Sequence, residues 1–437
     1  MTNCITRSFE FPSVKSRKVF ANFNGGLVSS DGGLLLVART DKHIGLLKAV
    51  AKIFPDKRDP LKIKHTIEEM LKQRVYGICQ GYEDLNDHDS LRTDPLFQTS
   101  VGTDKALASS PTLCRLENKA DRKLALEVHK IVVEKFIESF LQPPKELILD
   151  FDATDDLVHG DQVGKFFHGY YGNYCFLPLY VFCGKQLLVS YLRPSVQDGA
   201  KHAGVVLRLL VKRLRQAWPE VNIIARADSG FCRQTILNWC DRSNVKYIVG
   251  IARNKVLEKR LSPLMDEAKA RYEDTNEKQK LFTQFEYAAG TWKSSKTIIG
   301  KAEYSKEGTN PRFIVTNIDG DPRLLYEDIY CARGDMENRI KEQQLDLFAD
   351  RTSCHEWWPN QFRLLLASLA YILLERLRTI GLVETELENA QIGTIRLKLL
   401  KIGAVIVKNT RRICFMLASH YPYQSLFAIV YEKLVPS

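Results

Sequence analysis

The 437-residue chain carries ten cysteines and not one C-x-x-C pair. Cys4, Cys79, Cys114, Cys175, Cys183, Cys232, Cys240, Cys331, Cys354 and Cys414 are scattered. That spacing excludes the usual zinc modules, and buried thiols in a reducing compartment are expected rather than a disulfide framework. Long apolar runs are lacking too. The most apolar stretch, Leu364 to Leu374, is too short to cross a bilayer and stands between Arg363 and Arg376. The opening residues have no apolar signal core, and the chain has neither an internal repeat nor a low-complexity tract. A soluble, cytoplasmic protein without a membrane role is the expectation.

What is present is positive charge. Lys and Arg number 63 against 52 Asp and Glu, a net charge of +11, with 45% hydrophobic residues to build cores. Such an excess favours a polyanionic partner, and with no membrane segment nucleic acid outranks a lipid surface. The length predicts roughly two to four domains.

Residues 1–140 read as loops followed by helices. Leu124, Val128, Ile131, Val132 and Phe136 recur at helical spacing before "LQPPKE" breaks the pattern. From 141 to 253 strands alternate with a helix: "ELILDFDATDD", then "NYCFLPLYVFC" and "KQLLVSYLRP" as an antiparallel pair, the amphipathic "AGVVLRLLVKRLRQAWP", then "VNIIARADSG" and "VKYIVGIA". An α/β fold with a mixed sheet and packed helices is predicted. Residues 254–319 read as a β-rich insertion, 320–385 as two helical stretches, and 386–437 as a basic tail alternating in β fashion.

Strand alternation puts Ile148, Asp150 and Asp152 on one face, and likewise Arg226 and Asp228. Asp228 ends its strand at Ser229-Gly230, where acidic residues can line a crevice. In "YCARGDMENRIKEQ", helical phase collects Tyr330, Arg333, Glu337 and Lys341 on one stripe and turns Asp335 and Glu342 away. Carboxylates gathered from distant segments make an oxygen site for Mg²⁺ or Mn²⁺, and two such ions can drive phosphodiester chemistry. Each acid also has a plainer reading, as a turn cap or part of a solvated helix face, and spacing alone leaves both readings open.

Taken together, "GYEDLNDHDSLRTDP", "SPTLCRLEN", "DATDDLVHGDQ", "HGYYGNYCFLPLYVF", "ARADSGF" and the Y-(2)-R-(3)-E-(6)-K-like "YCARGDMENRIKEQ" carry a resemblance over nearly the whole chain. The sequence resembles the DDE transposases of bacterial insertion sequences: the group-one DDE domain, the IS-four-like superfamily and the insertion-sequence thirteen-eighty family. The resemblance implies an RNase H-like catalytic core with a β-rich insertion ahead of the helix bearing the glutamate. It implies Asp152, Asp228 and Glu337 as catalytic ligands of two Mg²⁺ or Mn²⁺ ions, with Asp150 as the rival of Asp152. Tyr330 and Arg333 match the signature's phosphate-contacting pair. Gln344 stands where the signature has lysine, and Lys341, on the same face, is the candidate substitute.

Further DNA contacts are expected at Trp292, by stacking on an unpaired base, and at Arg396, Arg411 and Arg412 in the basic tail. Arg115 is the candidate in the N-terminal region, which by family resemblance binds the inverted repeats of double-stranded transposon ends. For Trp292 the competing expectation is a small core. A homodimer on paired ends follows from the need to cut both ends in concert.

Overall fold

The computed structural model describes residues 7–290 and 292–435. Its contacts divide the chain into two compact units, Met1–Glu117 with Leu373–Ser437, and Asn118–Ile372. Cys4 lies outside the described residues, and the other cysteines form no disulfide. No helix among the described residues is long and apolar enough to cross a membrane.

The first unit is mostly helical. At its centre, helix Ile67–Gln80 begins with a capping box between Thr66 and Glu69 and ends at Gly81 in a left-handed turn, φ 90°. A three-stranded sheet, in the order Ile413–Leu417, Ala404–Lys408, Val28–Ser29, and an exposed hairpin, Phe9–Val14 with Arg17–Ala21, complete it. The tail is only partly β. Residues 392–400 are helical, and Gln424–Lys433 is a further helix. In the first of these, Ile392, Ile395 and Leu399 are buried at helical spacing, a period that the alternating basic residues obscure in the sequence. Gly33 is required by close approach: a Cβ there would lie 2.1 Å from the Leu399 carbonyl oxygen.

The second unit is built on a nine-stranded mixed sheet. In chain order its elements are helix α1 (Arg122–Ile137) and strands β1 (Glu146–Ala153), β2 (Leu179–Cys183) and β3 (Gln186–Tyr191). Helix α2 (Ala203–Ala217), strand β4 (Asn222–Ala227), helix α3 (Gln234–Arg242) and strand β5 (Lys246–Ile251) follow. Then come helix α4 (Lys255–Thr275), strands β6 (Gln279–Tyr287), β7 (Lys296–Ser305) and β8 (Arg312–Thr316), and helix α5 (Gly334–Lys341). The strand order is β6-β7-β8-β5-β4-β1-β2-β3, with Gly308–Thr309 pairing on β7. Strand β4 runs parallel to both β1 and β5, and the other pairings are antiparallel.

Two expectations change here. Residues 254–319 are not strand-like throughout. They open with the 21-residue helix α4, capped by Asn254, and their strands extend the same sheet through β8 on β5. The run "NYCFLPLYVFC" is two strands, because Pro178 breaks it. Asn173–Phe176 joins a small sheet with Asp156–Leu157 and Phe166–His168, and only Leu179–Cys183 enters the large one.

Both faces of the large sheet are covered, which is why its strands read as nearly continuous apolar runs. Leu147, Leu149 and Phe151 point into the main core with Leu207, Leu214 and Leu237 from the helices. Ile224, Ile248, Ile299 and Ile314 form the opposite face and are covered by Leu325 and Tyr326, with Ile148, Ile329 and Tyr330 packed at the edge. Each such burial contributes about 1.5–3 kcal/mol, so the apolar residues just upstream of Arg333 anchor that segment on the face that carries Asp150 and Asp152.

On this face the parallel register sets Arg226 beside Asp150. Arg226 donates to both Asp150 oxygens, at 2.5 and 2.8 Å, and its remaining nitrogen donates to the Ile329 carbonyl. The carboxylate and guanidinium are both buried. Asp150→Ala would strand the Arg226 charge in the core and is expected to cost about 3–5 kcal/mol in urea denaturation, with the double substitution Asp150→Leu, Arg226→Met losing less.

Candidate active site

The polypeptide reaching the site is irregular in helical pitch. Leu325–Tyr330 is π-helical, Cys331–Arg333 is 3-10, Gly334–Lys341 is α and Glu342–Asp346 is π again. A uniform 100° per residue therefore does not describe it. The wide π turn and the tight 3-10 turn act in opposite senses, and Tyr330, Arg333 and Glu337 still gather.

Asp152 and Asp228 stand one step beyond the Asp150–Arg226 pair, each at or just past the end of its strand. Asp228 caps the following turn by accepting from Gly230 N at 2.9 Å. Arg333 stands between the acids. One of its nitrogens donates to Glu337 Oε1 at 2.9 Å, and another is 3.8 Å from Asp152 Oδ1.

The electrostatics follow from this arrangement. Burial pushes the Asp152 carboxyl up to about 7; Arg333 opposes the shift, and Asp228 and Glu337 add to it by repulsion. Burial works against the charge on Arg333, yet Asp152, Tyr330, Glu337 and Asp228 together hold its guanidinium above its ordinary range. Burial also raises the Tyr330 phenol, with Arg333 and Asp228 acting in opposite directions. The Tyr330 hydroxyl lies over Gly250, where a Cβ would meet it at 2.7 Å and Ser229 N at 2.8 Å. Strand β5 thus needs glycine for the tyrosine to dock beside Asp228, a constraint that reading the motifs alone does not reveal.

The donor set is all oxygen, which suits a hard divalent cation. Among the described residues no three acidic, histidine or cysteine side chains close on one point. Instead the Arg333 guanidinium is the cation standing between two of the acids, so the charge and donor type of the site fit a metal ion.

The description "Transposase DDE domain group 1" belongs to a family model that matches residues 11–437. The chain belongs to this family. Divalent metal ions are general to DDE transposases. No curated protein matches this transposase. Among solved structures it is similar to the cryo-EM structure of a piggyBac transposase synaptic complex with hairpin DNA, at 12% identity and a TM-score of 0.42, covering 85% of this chain and 80% of that one.

The transposase distributes its other candidate residues unevenly. Asp150 has both oxygens engaged by Arg226, unlike Asp152. Lys341 is exposed. Gln344, in the signature's lysine position, donates to the Asp155 carbonyl at 3.0 Å and so ties the glutamate segment to the loop after Asp152. Trp292 is half-buried, edge-on to Tyr287 at 5.8 Å, among partly buried residues against the main core. Arg396 donates to the Cys79 carbonyl at 2.9 Å, closing the end of helix Ile67–Gln80. Arg411 and Arg412 are exposed at the tip of the C-terminal hairpin, their amides held by Asn409. Arg115 is exposed and donates to Thr112 Oγ1.

An acid raised to about 7 when folded and near 3.8 when free makes stability fall as pH rises between those values. In that window the unfolded chain is ionised while the folded one still holds its proton; above about 7 the deficit stays constant. Asp152→Asn is therefore expected to stabilise the metal-free transposase at pH ~8 by on the order of 4 kcal/mol, and to leave it unchanged near pH ~3.5, in paired denaturation curves.

Proposed function

We propose that this transposase cleaves DNA at the ends of an insertion sequence and joins the freed 3′-hydroxyl to target DNA. What supports the reading most is Arg333, which is hydrogen-bonded to Glu337, lies 3.8 Å from Asp152 and is held above its ordinary range in part by Asp228, so that one guanidinium answers acids from two strand ends and one helix. The strand order β3-β2-β1-β4-β5, an antiparallel meander followed by two parallel strands, supports an RNase H-like core. Strands β6 to β8 and helix α4 then form the insertion between Asp228 and Glu337.

In this reading Asp152, Asp228 and Glu337 would hold two Mg²⁺ or Mn²⁺ ions. Bound ions of this kind make the attacking oxygen nucleophilic and stabilise the leaving oxygen. Asp150 is a positioning residue: its pair with Arg226 fixes the strand on which Asp152 projects, and Arg226 reaches the backbone of the signature segment through Ile329. Tyr330 and Arg333 orient the phosphate. Gln344 holds the loop after Asp152 in place of a lysine contact. Water attacks the phosphorus at the transposon end, the P–O3′ bond breaks, and the 3′-oxygen leaves as a hydroxyl. That hydroxyl then attacks a target phosphorus and breaks the P–O3′ bond there, with no net change in the number of phosphodiester bonds in the joining step.

The double-stranded ends are bound as a pair by a homodimer. Arg411 and Arg412, on an exposed hairpin tip, and the exposed Arg115 are the phosphate contacts we assign to the first unit. Arg396 is assigned a structural role from its carbonyl partners, and Trp292 a packing role from its contact with Tyr287.

With pre-cleaved inverted-repeat ends, target plasmid and Mg²⁺, the parent protein is expected to yield joined products. Glu337→Gln, Asp152→Asn and Asp228→Asn should each lower both cleavage and joining by at least about a hundredfold while retaining end binding in gel shifts. Cleavage without joining would make the protein a nuclease instead, and undiminished activity of Glu337→Gln would remove that residue from the site.

A further inference from the structure

We infer that Arg333 is shared between the acidic residues and the DNA backbone, so that divalent-metal binding and DNA binding at this site strengthen each other. The inference rests on the assignment of Asp152, Asp228 and Glu337 given above and concerns how that site is regulated.

Arg333 is in two places at once in chemical terms. Its side chain is 19% exposed, with one nitrogen hydrogen-bonded to Glu337 Oε1 and another 3.8 Å from Asp152 Oδ1. It therefore bridges acids from two distant segments, and these are the same oxygens that would hold an ion. A guanidinium and a divalent cation cannot share those oxygens without mutual repulsion. In the absence of DNA, Arg333 competes with metal. The charged or titratable groups facing it include Asp152, Glu337, Asp228 and Tyr330, and its charge is also felt by Asp150 and Cys331. The carboxylates among these groups hold Arg333 in the cluster until a cation takes its place on them or another anion receives it.

A phosphate is such an anion. The planar guanidinium presents parallel N–H donors that match two phosphate oxygens, and it cannot shed its charge to escape the conflict. Arg333 is one helical turn from Glu337 and half-buried at the edge of the acidic cluster, so a rotation of its side chain suffices to move the fork outward. With DNA present, Arg333 turns to the backbone and its two carboxylates become available. With metal present, Arg333 is released from them and becomes available to DNA. Thermodynamic linkage then requires the two couplings to be equal. The arrangement restrains metal-loaded chemistry until a DNA strand lies in the site.

The test measures binding rather than turnover. Mn²⁺ affinity of the full chain is measured by titration calorimetry alone and in the presence of a short DNA duplex, and duplex affinity is measured with and without Mn²⁺. Mn²⁺ titrated into the duplex alone serves as the blank for ion binding to DNA. The parent protein is expected to bind Mn²⁺ about tenfold more tightly with DNA than without, and to bind DNA more tightly with Mn²⁺ by the same factor. Arg333→Gln should bind Mn²⁺ several-fold more tightly than the parent when no DNA is present, and its coupling factor should fall toward one. Arg333→Lys, which keeps the charge without the fork, should retain the competition with Mn²⁺ and lose most of the gain from DNA. Circular dichroism establishes that each variant is folded, and Arg333→Lys carries the test if Arg333→Gln is not.

Mn²⁺ affinity of Arg333→Gln equal to or below that of the parent, or an unchanged coupling factor, would overturn the inference alone, provided Asp152→Asn and Glu337→Gln still abolish Mn²⁺ binding. If those two variants bind Mn²⁺ like the parent, the site assignment fails and the inference fails with it.

Discussion

Acidic side chains that repel one another have to be kept together before this site can exist. Asp152 projects from a strand end, Asp228 from the turn beside it and Glu337 from a helix, and each raises the cost of ionising Asp152 or adds to the charge that Arg333 must balance. Left alone, such a cluster would splay or protonate. The sheet prevents the first outcome by holding two of the acids on adjacent strands, and Arg333 limits the second by bringing a positive charge against Asp152 and Glu337. The rest of the second unit serves this balance. Apolar residues from Leu325 to Tyr330 bind the signature segment to the sheet face, Gly250 leaves room for Tyr330, and Gln344 ties the far end of the segment back to Asp155.

Beneath the acidic cluster, one step along the same strands, lies its satisfied counterpart. Asp150 and Arg226 face the same way as Asp152 and Asp228 and differ in having a full complement of partners. The first pair closes on itself in the core. The second is open, and its Asp152 is held near neutral pH in its titration. The same alternation that aims four polar side chains at one face therefore sets a structural tie next to the acids we propose as reactive.

Much of the site was legible in the sequence because it depends on short-range rules. Period-two alternation predicts that Asp150 and Asp152 share a face, and helical spacing predicts that Arg333 and Glu337 meet; both hold because these are properties of neighbouring residues. The partner of Asp150 was not legible. Arg226 is 76 residues away, and only the parallel register brings the two together. The helix that opens residues 254–319 is hidden in the sequence for a different reason. Charged residues dominate "KVLEKRLSPLMDEAKARYEDT", and Pro263 interrupts it, masking the buried Leu257, Leu261 and Ala268 at helical spacing. Around residue 395 a basic residue at alternate positions mimicked a strand, while burial followed the helical period. The π and 3-10 turns that adjust the pitch before Glu337 have no signature in composition, since they are set by how Leu325 and Tyr326 seat on the sheet.

We propose Asp152, Asp228 and Glu337 as one oxygen site for divalent cations, with Arg333 displaced when it fills. Anomalous diffraction from crystals of the protein–DNA complex soaked in Mn²⁺ tests it directly. Anomalous peaks are expected in contact with Asp152, Asp228 and Glu337, with no peak on Asp150 and the Arg333 guanidinium turned to a phosphate. Peaks coordinated by Asp150, or Mn²⁺ bound in the complex with Arg333 still bridging Asp152 and Glu337, would contradict it.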